Sequence, residues 1–372
     1  MITVGKETIK REILIYDETV DDCSRIRCVL LENSKPVELL EQRLNNTDDA
    51  ADKAFTWFEQ DIILARISRV VPSLSSAFVD IGQQSEGMLP LRLAPPGVKA
   101  GQLIVVQVLR LTQEGKGCQL TALPQLPGFF VVLRPYENRH LKRSRLRSID
   151  RAKAQEMYQD ELVSLTSEWE ELCAEARLGG ETPRLLRRFQ QPVQKALRDW
   201  VDSECEYISV DGLEHFKLVD SILKQHVPFL LNKLRLISSQ QGSLPDIYRL
   251  SDLDRQIYSR EIWLKNGGKI VFDQTEALLA IDVNSAKADK QRDPQKLWLK
   301  TNLHAAREIC RLLRLRRIQG IIIIDFIRLK HDQDVEEIDK YMRELLARDK
   351  ARIQIGGFSR LGLYELTRSL KK

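Results

Sequence analysis

The chain has 372 residues, of which 43% are hydrophobic and 30% charged, and its formal net charge is +5. This length suffices for about two to four compact units with a sizeable buried core, so the composition indicates a globular protein. The mild basic excess allows a polyanionic partner without demanding one. The sequence contains no apolar run long enough to predict a membrane span.

The cysteine pattern predicts reduced thiols. The six cysteines are scattered without the close spacing typical of metal sites, and no secretory signal precedes them. We therefore expect a cytoplasmic protein.

The N-terminal region, residues 8–40, alternates apolar and polar residues as β-strands do. Turn-forming residues at 32–35 separate two such segments. The pattern predicts a β-hairpin.

From Asp61 to Leu123, short β-rich segments alternate with glycine-containing turns. Many short strands of this kind predict a small barrel, for which an oligonucleotide-binding (OB) fold is the natural candidate.

After Pro127 the chain combines a basic patch with a long helix, predicted from about Asp150 to Arg177. Apolar residues at helical spacing, from Tyr158 to Cys173, predict a packing face on this helix. A second basic cluster follows much later in the chain. Either basic set can attract a polyanion or form an ordinary solvated face. The patch comprises Arg134, Arg139, Lys142, Arg143, Arg145 and Arg147, and the second cluster comprises Arg311, Arg314, Arg316 and Arg317.

Two helical patterns surround a strand-like segment, Glu204 to Val210, within residues 183–245. Beyond them, Asn266-Gly-Gly stands between two β-rich segments and predicts a second hairpin.

The segment from Glu276 to Lys330 predicts a β-α-β crossover: a strand at Ala277 to Val283, a helix at about Pro294 to Arg316, and a strand at Gly320 to Ile327. Both strands are almost wholly apolar, which predicts that they are buried on both faces. A right-handed crossover makes such strands parallel neighbours.

Each of these strands ends in a carboxylate, and a parallel arrangement brings Asp282 and Asp325 to the same edge of the sheet. Two such carboxylates repel unless a cation lies between them, and Mg²⁺ fits because it needs few protein ligands. Asn284, two residues beyond Asp282, points to the same face and can orient a carboxylate or a water. Metal-assisted phosphodiester hydrolysis is one interpretation. The other is that both aspartates are ordinary turn or helix caps.

The segments EALLAIDVNSAKA, LKTNLHAAREICRLLRLRRIQGIIIIDFI and ARIQIGGFSRLGLYELTR resemble the catalytic core of the bacterial ribonuclease E/G family. The resemblance implies that Asp282 and Asp325 bind one Mg²⁺, for which Mn²⁺ can substitute, and that Asn284 assists. It implies a hydroxide that attacks an RNA phosphate and leaves a 5′-phosphate and a 3′-hydroxyl.

The barrel segments VPSLSSAFVDIG, EGMLPL and EGKGCQL also resemble this family. The resemblance implies that Phe78 stacks on a base, that Lys116 holds the RNA, and that Arg352 lies near the substrate path. A core role for Phe78 and a solvated or ion-paired role for Arg352 are the alternatives. We also expect Arg143 and Arg145, in the basic patch, to contact RNA by nonspecific attraction.

The implied fold class is α/β, in a multidomain α+β arrangement. The resemblance implies a ribonuclease-H-like subdomain split in sequence, an inserted OB-type barrel, a remnant of a region that senses the RNA 5′ end, and a DNase-I-like catalytic unit. Their expected bounds are 1–60 with 181–250, 61–126, 127–180 and 251–372.

The sequence also departs from the family. Met88 replaces an aromatic residue, Arg328 an acidic residue and His304 a glutamate, and the Arg-Thr pair that binds a 5′-monophosphate is absent between Pro135 and Arg184. The Cys-rich segment through which relatives share zinc is missing too. We therefore expect no zinc and no zinc-linked tetramer, while a homodimer through the catalytic domain remains open.

These features together predict a Mg²⁺-dependent endoribonuclease that cleaves single-stranded RNA internally, with little regard to the 5′ end, in rRNA processing or RNA decay. The alternative is an RNA-binding protein that has lost catalysis and acts in RNA or ribosome assembly. A DNA nuclease is the third interpretation, because an OB-type barrel does not distinguish RNA from DNA.

Overall fold

A computed structural model describes residues 9–20, 23–44, 57–83, 85–111, 117–137, 140–142, 151–189, 191–202, 204–237, 242–285 and 294–369. The chain forms two compact units. Unit 1 comprises Met1–Cys28 and Leu40–Ser238, and unit 2 comprises Val29–Leu39 and Ser239–Lys372.

The secondary structure is mixed α/β, as the sequence predicts. The strands are β1 (Arg11–Val20), β2 (Cys23–Glu32), β3 (Lys35–Leu44), β4 (Ile62–Val71), β5 (Ser76–Asp80), β6 (Gly87–Pro90), β7 (Leu103–Arg110), β8 (Gln119–Thr121), β9 (Leu126–Pro127), β10 (Val131–Leu133), β11 (Leu141–Lys142), β12 (Arg184–Arg187), β13 (Cys205–Asp211), β14 (Leu234–Ile237), β15 (Glu261–Trp263), β16 (Lys269–Gln274), β17 (Leu278–Asn284), β18 (Gly320–Asp325), β19 (Arg352–Phe358) and β20 (Tyr364–Ser369). The helices are α1 (Arg151–Arg177), α2 (Pro192–Trp200), α3 (Leu213–His226), α4 (Leu244–Ile247), α5 (Leu253–Tyr258), α6 (Pro294–Leu315) and α7 (Asp332–Leu346).

One sheet has the strand order β14-β13-β1-β2-β3. The strand β13 is parallel to both β1 and β14. The predicted N-terminal hairpin is confirmed as β2 and β3, whose turn contains Asn33 and Ser34 at positive φ. The two helices predicted around the strand at 204–210 are also confirmed, as α2 and α3.

The predicted barrel is confirmed in unit 1. Strands β4, β5, β6, β8 and β7 follow one another, and pairing of β4 with β7 closes the ring; β12 extends the sheet from β4. The barrel encloses a core of small and β-branched residues, among them Ile63, Val79 and Val106, each wholly buried. Trp57 packs against this core and donates its indole N–H to the carbonyl of Ile81 at 2.7 Å.

The long helix α1 lies within one residue of its predicted bounds, and its apolar stripe is a packing face, as predicted. Tyr158, Leu165 and Leu172 are buried in a cluster with Leu126 and Val131 from β9 and β10. The packing explains why the helix is stable although most of its other residues are polar.

Unit 2 contains a six-stranded sheet in the order β15-β16-β17-β18-β20-β19. The predicted crossover is confirmed: β17 and β18 are parallel neighbours, and α6 connects them. The hairpin at Asn266-Gly-Gly is confirmed as well, since β15 and β16 pair antiparallel on either side of it.

The expectation that β17 and β18 are buried on both faces is wrong. Along β17 the buried residues Leu279, Ile281 and Val283 alternate with half-buried or exposed ones. In β18, Ile321 is 48% exposed although Ile322 is fully buried. An isoleucine-rich run indicates a strand, because isoleucine favours strands anywhere in a sheet. Whether a strand is buried depends instead on what covers each of its faces, and the run does not determine that. We call the less buried side, which carries Leu278, Ala280, Asp282, Ile321 and Asp325, the open face.

The second basic cluster is neither a solvated face nor a polyanion site over most of its length. Arg311 and Arg314 are 9% exposed. Arg314 is paired with Glu32 and Glu38 at 3.0 and 2.9 Å, and Arg311 donates to the carbonyl of Pro36. These partners belong to the same unit, so the arginines stabilise its interior. The acids that neutralise them lie far away in sequence, which is why the charge run alone misleads.

None of the helices in the described ranges is long and apolar enough to cross a membrane. Five cysteines have described surroundings, and all are free thiols: Cys28, Cys118, Cys173, Cys205 and Cys310.

Candidate metal centre and nucleic-acid surface

The two predicted metal ligands are direct neighbours in the sheet. Asp282 and Asp325 are paired in register on the parallel strands β17 and β18, each at or near its carboxyl end. Neighbouring strands lie about 4.8 Å apart, and cross-strand neighbours point to the same face. The predicted meeting of the two carboxylates at one edge of the sheet is thus confirmed.

Both carboxylates are exposed on the open face. Among the residues that the structure describes, no Lys, Arg or His lies within ion-pair distance of either one. Two adjacent negative charges without a counter-ion repel each other, so the pair favours a bound cation. In those same residues no group of three or more acidic, His or Cys side chains is close enough to hold a metal. The two neighbouring carboxylates fit Mg²⁺, because this ion keeps several waters and needs only one or two carboxylates.

Asn284 acts on one of the two carboxylates. Its Nδ2 donates to Oδ2 of Asp282 at 2.6 Å. This bond fixes the carboxylate and leaves its other oxygen available to a cation. The backbone beside Asn284 is tightly packed, because a Cβ on Gly268 would lie 3.0 Å from the Asn284 carbonyl oxygen and 2.8 Å from Thr301 Cγ2.

Asn302, which the sequence reasoning missed, holds the chain just beyond Asp325. It is wholly buried in α6. Its Nδ2 donates to the Ile327 carbonyl at 2.8 Å, and its Oδ1 accepts from the Ile327 N–H at 3.0 Å. The only available signal in the sequence was an amide in the otherwise apolar stripe of a helix, where an unpaired polar group is costly.

Replacing Asn302 with leucine is expected to destabilise the protein by about 2–4 kcal/mol, because it leaves the Ile327 N–H and carbonyl unpaired in a partly buried position. Urea unfolding measures this difference. Lys300→Leu, on the exposed side of the same helix, is the matched control. Equal stability of the two variants would contradict the role given to Asn302.

Arg328 and His304, the two charge departures in this unit, form no ion pair with either carboxylate among the described residues. Arg328 is exposed and forms no ion pair with Asp282 or Asp325, all three residues being described. Burial, followed by the positive charges of Lys300 and Arg307, lowers the pKa of His304. The histidine is therefore neutral at pH 7.

Arg352 shares the open face with the carboxylates but lies at the other end of the sheet. It begins the edge strand β19 and is opposite Ser369, beyond the level of Gly320. Measured along the strands, this is roughly 20 Å from the level of Asp325. Arg352 lines a cavity of about 260 Å³ with Gln354, Thr367 and Ser369.

Phe78 lies on the surface of the barrel, outside its core. The Arg69 guanidinium carbon is 4.4 Å from the centre of its ring, and Met88, its partner in register on β6, is 37% exposed. The half-buried ring therefore lies against the Arg69 guanidinium, which is also paired with Glu86 at 2.9 Å. The remaining predicted RNA contacts, Lys116, Arg143 and Arg145, lie outside the described residues.

Comparison with known proteins agrees with this geometry. A profile of the Ribonuclease E/G family matches residues 142–371, which include the whole β-α-β segment with its two aspartates. The chain belongs to the ribonuclease E/G family.

Individual relatives support the same assignment. Ribonuclease E of Haemophilus influenzae is 32% identical over 354 residues, covering 83% of this chain and 37% of the relative. Ribonuclease E of Escherichia coli is 31% identical over 360 residues, covering 83% of this chain and 33% of the relative. Ribonuclease G of H. influenzae is 28% identical over 357 residues, covering 83% and 72%. The chain therefore spans about a third of the length of the two ribonuclease E relatives.

Proposed function

We propose that this protein is a Mg²⁺-dependent endoribonuclease that cleaves single-stranded RNA to leave 5′-phosphate and 3′-hydroxyl ends. The observation that carries the proposal is the pairing of Asp282 with Asp325 in register, without a cationic partner in the described chain. The relatives, named as ribonucleases E and G, support the substrate class.

In this proposal Asp282 and Asp325 bind the ion, and Mn²⁺ can replace Mg²⁺. Asn284 holds the Asp282 carboxylate by a 2.6 Å hydrogen bond to one oxygen, and the other oxygen would be available to bind the ion. When bound, the ion supplies Lewis-acid activation of a water and stabilises charge on the phosphate. Asn302 holds the backbone that follows Asp325 and is a positioning residue.

We also propose which subdomains of the family the two units contain. The order β14-β13-β1-β2-β3, with parallel pairing at β13, supports a ribonuclease-H-like subdomain from 1–60 and 181–250. The closed five-stranded ring supports an OB-type barrel at 61–126. We assign 127–180 as a remnant of a 5′-end-sensing region and 251–372 as a DNase-I-like catalytic unit.

The barrel is the proposed RNA-binding surface. Phe78 stacks on a base, and Lys116 with the basic residues Arg143 and Arg145 attracts the phosphates. Arg352, with no ion pair among the described residues, contacts RNA elsewhere along the open face.

Phe78→Ala is expected to weaken binding of single-stranded RNA by about 1–3 kcal/mol, because it removes a stacking platform. Fluorescence anisotropy with a labelled oligonucleotide measures the loss. Leu74→Ala, which removes an exposed apolar side chain from the same barrel, should bind RNA like the wild type. If both variants bind like the wild type, Phe78 does not stack on RNA.

We also propose a cytoplasmic location, a role in rRNA processing or RNA decay, and a homodimer through the catalytic domain. Analytical ultracentrifugation tests the dimer. If the dimer forms, the sedimenting mass should be near twice that of the chain.

Incubation of a labelled AU-rich single-stranded RNA with the protein, with Mg²⁺ or with EDTA, tests the central proposal. We expect internal cleavage with Mg²⁺ and none with EDTA. If the protein binds the RNA but leaves it intact, it is instead an RNA-binding protein without catalysis.

A further inference from the structure

Trp263, on the edge strand β15 of unit 2, is an exposed aromatic residue. All five tryptophans of the chain lie in the described ranges, and only Trp263 is exposed, at 63%. A single exposed apolar side chain is common on protein surfaces and by itself indicates no binding role. The position of this ring within the sheet is more informative.

The register of the sheet places Trp263 on the open face, in the same row as Asn284. Trp263 pairs with Lys269 on β16, and Lys269 pairs with Asn284 on β17. Residues opposite one another on neighbouring antiparallel strands point to the same face. The strand spacing and the rise per residue put the Trp263 backbone roughly 12 Å from that of Asp282. A nucleotide close to one held at the carboxylates can therefore reach the ring.

The charges beside the ring largely cancel. Lys269 Nζ is 5.7 Å from the centre of the Trp263 ring and 2.9 Å from Oε1 of Glu261, which lies two residues before Trp263 on β15. An ammonium group that is paired with a carboxylate attracts a phosphate much less than a free one does. The indole, with its large flat surface, is therefore the feature of this corner of the sheet that can bind a nucleotide.

We propose that Trp263 is a stacking platform for a base of the RNA whose scissile phosphate lies at Asp282 and Asp325. The proposal rests on the nuclease function proposed above and adds a substrate-binding residue to it. Every base has a π-face, so such stacking needs no particular sequence. A base on the indole holds the RNA in one direction across the open face, from β18 over β17 and β16 towards β15. The ring binds substrate and takes no part in the chemistry.

The test compares Trp263→Ala with Trp263→Phe, which keeps an aromatic ring, and with Tyr258→Ala, which removes a 70% exposed ring from α5. Fluorescence anisotropy with a labelled AU-rich single-stranded RNA, in EDTA so that the RNA stays intact, measures the affinity. Trp263→Ala is expected to bind about tenfold more weakly than the wild type, a loss of the size expected for one stacked base. Trp263→Phe should keep most of the affinity, and Tyr258→Ala all of it.

Salt dependence separates stacking from attraction to phosphates. The slope of the logarithm of the affinity against the logarithm of the salt concentration reports how many phosphates the protein neutralises. Trp263→Ala removes no cation, so its slope should equal that of the wild type. A smaller slope would show that the lost contacts are to phosphates, which would contradict the stacking role.

Photo-cross-linking tests directly whether a base lies on the ring. RNA in which 5-iodouridine replaces uridine, irradiated on the wild-type protein in EDTA, should yield a cross-linked peptide that contains Trp263. Either the absence of this peptide or binding of RNA by Trp263→Ala as tight as by Tyr258→Ala would overturn the proposal. If Trp263→Ala instead converts a dimer into a monomer and leaves RNA affinity unchanged, the ring is a contact between two copies of the chain. Cross-linking at Trp263 of an RNA that Mg²⁺ leaves uncleaved would contradict the nuclease function and support the stacking platform.

Discussion

Replacing Asp282 or Asp325 with asparagine is expected to lower Mg²⁺-dependent RNA cleavage by at least about a thousandfold, a loss of roughly 4 kcal/mol of transition-state stabilisation. Asparagine has nearly the same shape but removes the negative charge that draws the ion to the open face. Since the two carboxylates share one ion, either substitution alone should produce most of the loss of the double variant. Initial rates on a labelled single-stranded RNA, over a range of Mg²⁺ concentrations, measure it.

Asp273→Asn is the matched control, because Asp273 lies on the neighbouring strand β16 and points to the same face, opposite Ala280. Its carboxylate is already paired with Arg260 at 2.5 Å, so it should not bind the ion. Binding of Mn²⁺, followed by electron paramagnetic resonance, gives a readout that is independent of catalysis. Cleavage by Asp282→Asn or Asp325→Asn within a few-fold of the Asp273→Asn rate would rule out the proposed centre.

A second large effect is expected on the free energy of unfolding when the buried ion pair between Arg368 and Asp349 is broken. Their side chains are 4% and 5% exposed, and Arg368 Nε is 2.8 Å from Asp349 Oδ2. Arg368 also donates to the Ile318 carbonyl at 2.6 Å. Arg368→Met is expected to cost about 3–5 kcal/mol, because it leaves a carboxylate buried without its counter-ion. Urea unfolding of the variant and the wild type provides the comparison.

Lys224→Met tests whether this cost is specific to a buried pair. Lys224 is 62% exposed and is paired with Asp220 at 2.6 Å on the surface of α3, so its loss should cost less than about 0.5 kcal/mol. The double variant Arg368→Met with Asp349→Asn should recover part of the stability, since it removes the stranded charge. If Arg368→Met behaves like Lys224→Met, the buried pair does not determine stability.

The β-α-β segment can be predicted well from the sequence, because it depends on residues that are close in sequence and on the fixed right-handedness of the crossover. Apolar runs, a helical periodicity and the right-handed crossover leave little choice but a parallel pair with Asp282 beside Asp325. Hairpins and the barrel follow from turn chemistry in the same way. These are properties that neighbouring residues determine together.

Features that depend on distant parts of the chain could not be predicted. Arg314 on α6 is neutralised by Glu32 and Glu38, which lie on the distant strands β2 and β3, so its charge run resembles an exposed patch. Glu161 looks like an ordinary helix surface residue until the turn between β9 and β10 provides its donors, the N–H groups of Phe129, Phe130 and Val131. The exposure of Ile321 likewise depends on which face of the sheet is covered, and an isoleucine run carries no information about that.

The open face bears on how a long polymer reaches the carboxylates. If the carboxylates lay in a channel, an RNA chain would have to enter from one of its ends, so the chemistry of that end would limit entry. Asp282 and Asp325 lie instead on an exposed surface of the sheet. An RNA chain can approach such a surface from the side, at any point along the length of the RNA. A circular RNA, which has no ends, should therefore be as good a substrate as a linear one of the same sequence.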